Sequence, residues 1–402
     1  MKFLLPALLF WCMWCNAQSY ATLQSELAKL HKLAEINDPA ERELQSKNAI
    51  ERLANMDMIP MTAQDSAVFI YYGEAKSVEW TGDFNRWGFD KSFNSKGKRI
   101  SGTNIWLLRA SFPSDARLDY KVILNDNLRI LDPYNKRLQW SGVGGGSPNS
   151  ELRMPAYKDD PAQTYRSGIA HGTVSEDILY TSSKLSYQIT YNVYIPAVAD
   201  PKNLPVVYVT DGYEYLHPQL GNMATVLDNL IADNKIVPIA AIFVDHREPA
   251  NRMNNRRMDE LVMNENYLNF FVDEFIPYLE ATYPFDARAE SRAILGASVG
   301  GLNATYFTFA RPDIFSKAGI QSPSYFTRPQ IYALCDNPDL APITVSMTSG
   351  LIHDASDGGR KMTKILENNS CTYHYRETNQ GHSWGNWRDT IDDILVDFFA
   401  PK

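Results

Sequence analysis

Apolar and polar positions along the chain change rhythm twice, and each change marks a different kind of structure. From Tyr20 to about Met58, Leu23, Leu27, Leu30 and Leu33, then Ala49, Ile50 and Leu53, recur at helical spacing. The run is broken at Asn37-Asp38-Pro39, which predicts two short amphipathic helices. From Ser66 to Met154 the period shortens to two. Val68–Tyr72, Ser77–Trp80, Ile105–Leu108, Leu118–Leu124 and Arg129–Leu131 read as short strands separated by turn formers such as Gly82-Asp83 and Asn125-Asp126-Asn127. Strands of this length and spacing predict a small β-sandwich. The run from Gly142 to Pro148 predicts a flexible exit from it.

From Thr173 onward, near-continuous apolar strands alternate with helical segments. Strands are predicted around Leu185–Ile195 and at Pro205–Thr210, Ile236–Val244, Arg292–Leu295, Lys317–Gln321, Ile343–Ser349 and Thr372–Glu377. Helices are predicted at Asn266–Thr282, from Gly301, at Gly358–Asn368 and at Trp387–Phe399. Strands buried on both faces and joined by helices predict an α/β domain with a mostly parallel sheet. The predicted organisation is 1–17 leader, 18–60 helical segment, 61–155 β-sandwich, 156–172 linker and 173–402 α/β domain.

Composition adds limits. The 402 residues are 44% hydrophobic and 21% charged, enough to bury a large core. A net charge of −8 argues against nucleic acid as a partner, because phosphate neutralisation dominates that binding. Aromatic residues make up 12% and serve either β-rich cores or clefts for sugar and aryl groups. Residues 1–17 read as a cleavable signal peptide: Lys2, the apolar run Phe3–Trp14, and a small residue, Ala17, before Gln18. The run is too short to span a bilayer, so a periplasmic or secreted protein without membrane insertion is expected. Cys12 and Cys15 leave with the leader. Cys335 and Cys371 remain, and an oxidising compartment permits their pairing without requiring it. Outside the leader there is no CxxC, and there is no HExxH anywhere, so no metal site is expected.

The chemistry concentrates after Arg292. Gly296-Ala297-Ser298-Val299-Gly300-Gly301 is a GxSxG pattern between an apolar strand and a helical run, the setting of a nucleophile elbow. Ser298 is the candidate nucleophile; a structural strand-to-helix turn is the bland reading. A base and an acid should follow it in the chain. His353, His374 and His382 are available; His374 falls mid-strand, whereas His382 lies in the loop after the last strand, at the edge where open α/β sheets build their sites. Asp354 and Asp357 both follow the strand ending at Gly350. Asp354 is the first choice for the acid, and Asp357 is placed to cap the next helix. A Ser–His pair assisted by a carbonyl or water is the alternative to a triad. The oxyanion donors are expected from the N–H groups of Val299 and Tyr213, the latter in the loop after Pro205–Thr210. Arg247 and Arg256, in an arginine-dense loop after Asp245, either hold an anionic or catechol-rich substrate or pair with nearby acids. Trp384, beside His382, stacks on a substrate ring or packs the last helix.

These pieces together resemble the esterase group that includes enterochelin esterases, feruloyl and acetyl-xylan esterases, and S-formylglutathione hydrolases. The likeness runs from about Thr173 to the C-terminus and rests on Asp211-Gly212, Val226–Ile231, Asp245-His246-Arg247, Gly296–Gly301 and Gly381–Arg388. It implies an α/β-hydrolase fold and ester hydrolysis through an acyl-enzyme, with Ser298, His382 and Asp354 in the catalytic roles and no cofactor. Upstream, Val78–Trp87 resembles the early-immunoglobulin-like domain of glycogen-binding modules. Leu118–Pro133 and Ser150–Pro155 resemble the N-terminal domain of enterochelin esterases. The expected partner is a small-molecule ester or an oligosaccharide ester: a siderophore lactone first, a feruloyl or acetyl polysaccharide ester second. A carbohydrate-binding protein with an inactive hydrolase domain and an acyltransferase are the rival readings.

Overall fold

The structure, a computed structural model, describes residues 20–142, 148–337, 342–369 and 371–401. The expected signal peptide and most of the glycine run after Gly142 lie outside them. The chain forms two compact units. One reaches to Gln139 and adds 148–158 and Asn379–Gly381. The other holds 140–142, Asp159–Thr378 and the chain from His382 onward.

The first unit opens with helices over 20–32 and Pro39–Asn55. They part where the sequence predicts: Asp38 accepts the N–H of Ala40 at 2.9 Å, and Pro39 fills the first helical turn, where no backbone donor is needed. Behind them lie two antiparallel sheets. One orders Met61–Ala63, Ser66–Tyr72, Ile105–Ser111 and Lys98–Arg99; the other orders Val78–Gly82, Arg117–Leu124, Asn149–Arg153 and Leu138–Gln139, with Leu128–Ile130 paired to Arg117–Leu124. Rings from both sheets meet, with Phe69 at 6.0 Å from Trp80 and 5.0 Å from Tyr120. Leu23, Leu27, Leu30, Ile50 and Leu53 pack with Val68, Ile70, Ile105 and Leu107, so the helices cover the outer face of the first sheet.

The second unit is built on a nine-stranded sheet. Its order is Thr173–Val174, Gln188–Ile195, Ala240–Asp245, Val206–Val209, Arg292–Ala297, Lys317–Gln321, Thr344–Gly350 and Thr372–Thr378, with Ile178–Thr181 paired to Gln188–Ile195. From Ala240–Asp245 to Thr372–Thr378 every pairing is parallel; the first strands are antiparallel. Val206–Val209 and Arg292–Ala297 are buried at every position, which is why Val206–Val209 and Ala293–Leu295 read as unbroken apolar runs. The chain passes from Val206–Val209 to one neighbour, Ala240–Asp245, and then crosses to the other, Arg292–Ala297. This reversal is the topological switch point, and open α/β sheets bind ligands there, beyond the carboxyl ends of the strands.

Several elements differ from expectation, among them the helix Met223–Ala232, which lies where none is predicted. The predicted helix Asn266–Thr282 is helical but carries a π turn, Phe271–Phe275, ahead of Pro277, which falls in the first turn of Ile276–Thr282 where its missing N–H is harmless. The predicted last helix is two, Trp384–Arg388 and Ile391–Phe399, broken at Thr390, whose φ of −131° is non-helical. The arginine-dense loop contains a small hairpin, Arg247–Glu248 with Asn251–Asn255, and a short helix, Arg257–Leu261.

The packing leaves no room for a side chain at the end of Arg292–Ala297. A β-carbon on Gly296 would sit 2.3 Å from Thr210 Oγ1 and 2.5 Å from the Gly300 carbonyl carbon. Gly296→Ala is therefore expected to destabilise this unit by about 2 kcal/mol or more, in the range of overpacked cores, read as a lower urea midpoint. An unchanged midpoint would contradict the packing described.

Candidate active site

The strand Arg292–Ala297 ends at Ser298, which adopts φ 60° and ψ −117° before the helix Val299–Ala310 begins. A non-glycine residue in this region is strained and persists only where its surroundings hold it. Here they do. The Ser298 N–H donates to the Gln321 carbonyl at 2.8 Å, and the Ser298 carbonyl accepts from the Ser324 N–H at 3.0 Å. Gly300 meets the same obstruction as Gly296: its β-carbon would lie 2.6 Å from Thr210 Oγ1. Together these contacts form the sharp strand-to-helix bend that lifts the Ser298 hydroxyl above the sheet edge.

Two neighbouring loops bring partners to that hydroxyl. His382 Nε2 lies 3.0 Å from Ser298 Oγ, and His382 Nδ1 lies 2.6 Å from Asp354 Oδ1. The Asp354 side chain is fully buried, whereas that of His382 is 39% exposed. Asp354 Oδ2 accepts from the Ser322 hydroxyl at 2.6 Å, from the Gly350 N–H at 2.5 Å and from Asn386 Nδ2 at 3.4 Å. Trp387 supports the arrangement twice. Its Nε1–H donates to Ser322 Oγ at 2.9 Å, and its ring meets the His382 ring edge to face at 5.1 Å. An ionised carboxylate only accepts, so Asp354 selects the tautomer with the proton on Nδ1 and leaves Nε2 free to take the Ser298 proton. Ser298 Oγ then accepts from Ser324 Oγ, 2.9 Å away.

The other expected residues fall as follows. Asp357 lies in the first turn of Ser356–Asn368, with a fully exposed side chain 3.9 Å from Arg360, and does not reach His382. Val299 is the first residue of its helix and Tyr213 the second of Gly212–Leu216; N–H groups there lie ahead of the first intrahelical bond and point out of the helix end. Arg247 stacks over the Tyr213 ring at 3.8 Å and pairs with Asp245 at 2.7 Å, its side chain only 11% exposed. Arg256 lies over Tyr187 at 4.2 Å, with Glu248 at 3.7 Å. Trp384 is buried among Tyr215 and Trp387, and its Nε1–H donates to Glu214 at 2.9 Å, so the structure places its ring in the core rather than on a cleft wall. His374 is half-exposed, 3.7 Å from Asp397.

Sequence reasoning missed Ser322 and Ser324, which border the site. Their only signal is their place just past Gln321, at the end of the strand beside that of Ser298. Among the described residues no group of three or more His, Cys, Asp or Glu side chains is placed to hold a metal, and no helix is long and apolar enough to cross a membrane. Cys335 and Cys371 are both free thiols.

Residues 182–398, more than half of the chain, match the family model described as "Putative esterase". Among curated proteins, an endo-1,4-beta-xylanase/feruloyl esterase of Xylanibacter ruminicola is 28% identical over 239 residues, covering 56% of this chain and 31% of that protein. This chain thus spans under a third of that relative. The iron(III) enterobactin esterase of Escherichia coli K12 is 23% identical over 338 residues, covering 76% of this chain and 82% of that enzyme. Among solved structures, the enterobactin esterase of Shigella flexneri in the presence of enterobactin superposes with a TM-score of 0.69 at 20% identity, covering 83% of this chain and 92% of that one. The ferric enterobactin esterase of Salmonella typhimurium gives 0.70 at 16% identity, covering 83% and 93%. At such identities the solved structures speak for the fold, and the family match speaks for the lineage. With a mostly parallel sheet, a serine at its central elbow and a β-rich region ahead of it, this chain has the α/β-hydrolase fold and belongs to that esterase family.

Proposed function

We propose that the protein is an exported serine esterase that works through an acyl-enzyme. One observation carries the reading: His382 Nε2 lies 3.0 Å from Ser298 Oγ while its Nδ1 lies 2.6 Å from the buried Asp354. In this reading His382 takes the Ser298 proton as Oγ attacks the ester carbonyl carbon, and the Val299 and Tyr213 N–H groups hold the oxyanion. The carbonyl re-forms as the alcohol leaves with the proton from His382. Water then attacks the acyl-enzyme by the same steps, releasing the acid and restoring Ser298. Asp354 keeps the imidazole in the productive tautomer and stabilises the imidazolium.

For substrate, the wider reach of the enterobactin esterase match, 76% of this chain against 56% for the feruloyl esterase match, supports a siderophore-type ester. The second reading, a feruloyl or acetyl ester of a plant polysaccharide, has in its favour the higher identity of that shorter match, 28%.

Ser298→Ala is expected to abolish hydrolysis of a simple aryl ester with the fold intact. Asp354→Asn is expected to lower kcat by about 10³- to 10⁴-fold, the cost of the wrong tautomer. Full activity in Ser298→Ala would defeat the assignment. A panel setting a catecholate trilactone against a feruloylated xylo-oligosaccharide is expected to show higher kcat/KM for the trilactone; the reverse order selects the second reading. Mass spectrometry of the exported protein is expected to find Gln18 at its N-terminus, and retention of residues 1–17 would contradict export by cleavage.

A further inference from the structure

Four arginines follow Asp245, and three of them meet no part of the Ser298 elbow: Arg252 also pairs with Asp177 at 2.7 Å, and Arg247 also stacks over Tyr213. Arg247 and Arg252 pair with Asp245, at 2.7 and 2.8 Å, and Arg256 lies over Tyr187. Arg257 has different partners. Its Nε–H donates to Asp211 Oδ1 at 2.7 Å and its Nη2–H donates to the Ala297 carbonyl at 3.0 Å. Each partner immediately precedes a segment proposed to supply an oxyanion donor. Asp211, in the left-handed region at φ 55°, turns the chain from Val206–Val209 into Gly212–Leu216, which carries the Tyr213 N–H. Ala297 is the last residue before Ser298 and Val299.

We propose that Arg257 is a positioning residue that sets the spacing of the oxyanion hole by clamping the Asp211 turn to the Ser298 elbow. The inference rests on the serine esterase reading above. A guanidinium is a planar fork of donors, so two bonds from one group tie the Asp211 carboxylate to the Ala297 backbone in a fixed geometry, which a lysine's single point charge does not do. The clamp is itself anchored. The Arg257 N–H donates to Asn255 Oδ1 at 2.9 Å, Leu261 is fully buried, and Glu260 is buried against His246 and accepts from Tyr187 Oη at 2.7 Å. Only 24% of the Arg257 side chain and 7% of that of Asp211 are exposed. Burial works against the guanidinium's charge, but the adjacent Asp211 carboxylate outweighs it and holds the Arg257 pKa above its ordinary value. The guanidinium therefore stays charged beside Asp211.

Oxyanion donors act only when about 2.7–3.1 Å from the developing charge, and misplacement by about 1 Å costs on the order of 100-fold. Arg257→Lys keeps the charge beside Asp211 but not both bonds. It is expected to unfold within a few degrees of the wild type and to lower kcat by about 100-fold while KM stays within about threefold, since the lost interaction belongs to the transition state. The rate at which a fluorophosphonate labels Ser298 should fall by a similar factor. In Arg257→Ala, added guanidinium ion at millimolar concentration should restore part of the lost kcat. Wild-type kcat in Arg257→Lys, or a raised KM with kcat intact, would overturn the proposal; the second result would mark Arg257 as a substrate contact. If Arg257→Ala does not fold, Arg257→Lys decides alone. A wild-type protein that neither hydrolyses esters nor labels at Ser298 would instead overturn the esterase reading beneath it.

Discussion

The site depends on a close approach: the Thr210 side chain lies where β-carbons on Gly296 and Gly300 would have to be, 2.3 and 2.6 Å away. Because neither position has a side chain, the ends of two adjacent parallel strands and the start of a helix fit together, and the residue between the glycines must turn sharply. Ser298 accepts φ 60° for that reason. The strain places its hydroxyl outside the sheet, at the start of the following helix. Thr210 belongs to the segment that continues into Asp211 and Tyr213. The contact that bends the nucleophile's chain therefore also fixes the loop proposed to hold the second oxyanion donor.

A second constraint is electrostatic. A fully buried carboxylate is costly unless its oxygens are satisfied, and Asp354 meets that condition with four donors: His382, Ser322, the Gly350 N–H and Asn386. Those donors also define direction. With three of them on one oxygen, the other oxygen faces His382, whose remaining nitrogen faces Ser298. Trp387 joins the two sides, donating to Ser322 and packing against the His382 ring. The imidazole is thus held by a buried network on one side and open to solvent on the other.

Much of this was legible in the sequence, for physical reasons that differ by element. Strands buried on both faces have no polar period, so Val206–Val209 and Ala293–Leu295 stand out as apolar runs. The glycine spacing around Ser298 marks a bend without room for β-carbons, and few histidines remain downstream to serve it. In the sequence, the choice of Asp354 over Asp357 rests on its place nearer the end of the strand. Both lie in one loop, and only the fold puts one carboxylate in the interior and leaves the other in water. Composition likewise shows that the segment after Asp245 is rich in arginine but not whom each arginine meets: Arg247 stacks on Tyr213, while Arg257 reaches Asp211 and the elbow. Trp384 reads as a wall for a substrate ring because it neighbours His382, yet a short helix rotates it into the core. Ser324 is marked only by its place just past the strand Lys317–Gln321; its role arises from a bond to Ser298 across a gap of 26 residues.

The central claim is that a covalent bond forms at Ser298 during turnover. The most direct measurement is acid quenching of the protein while it turns over a slow aryl ester, followed by peptide mass spectrometry. The account predicts an acyl adduct on the peptide containing Ser298 that accumulates and then decays at the turnover rate. Steady hydrolysis with the acyl group on another residue, or with no adduct while Ser298→Ala hydrolyses equally well, would contradict it.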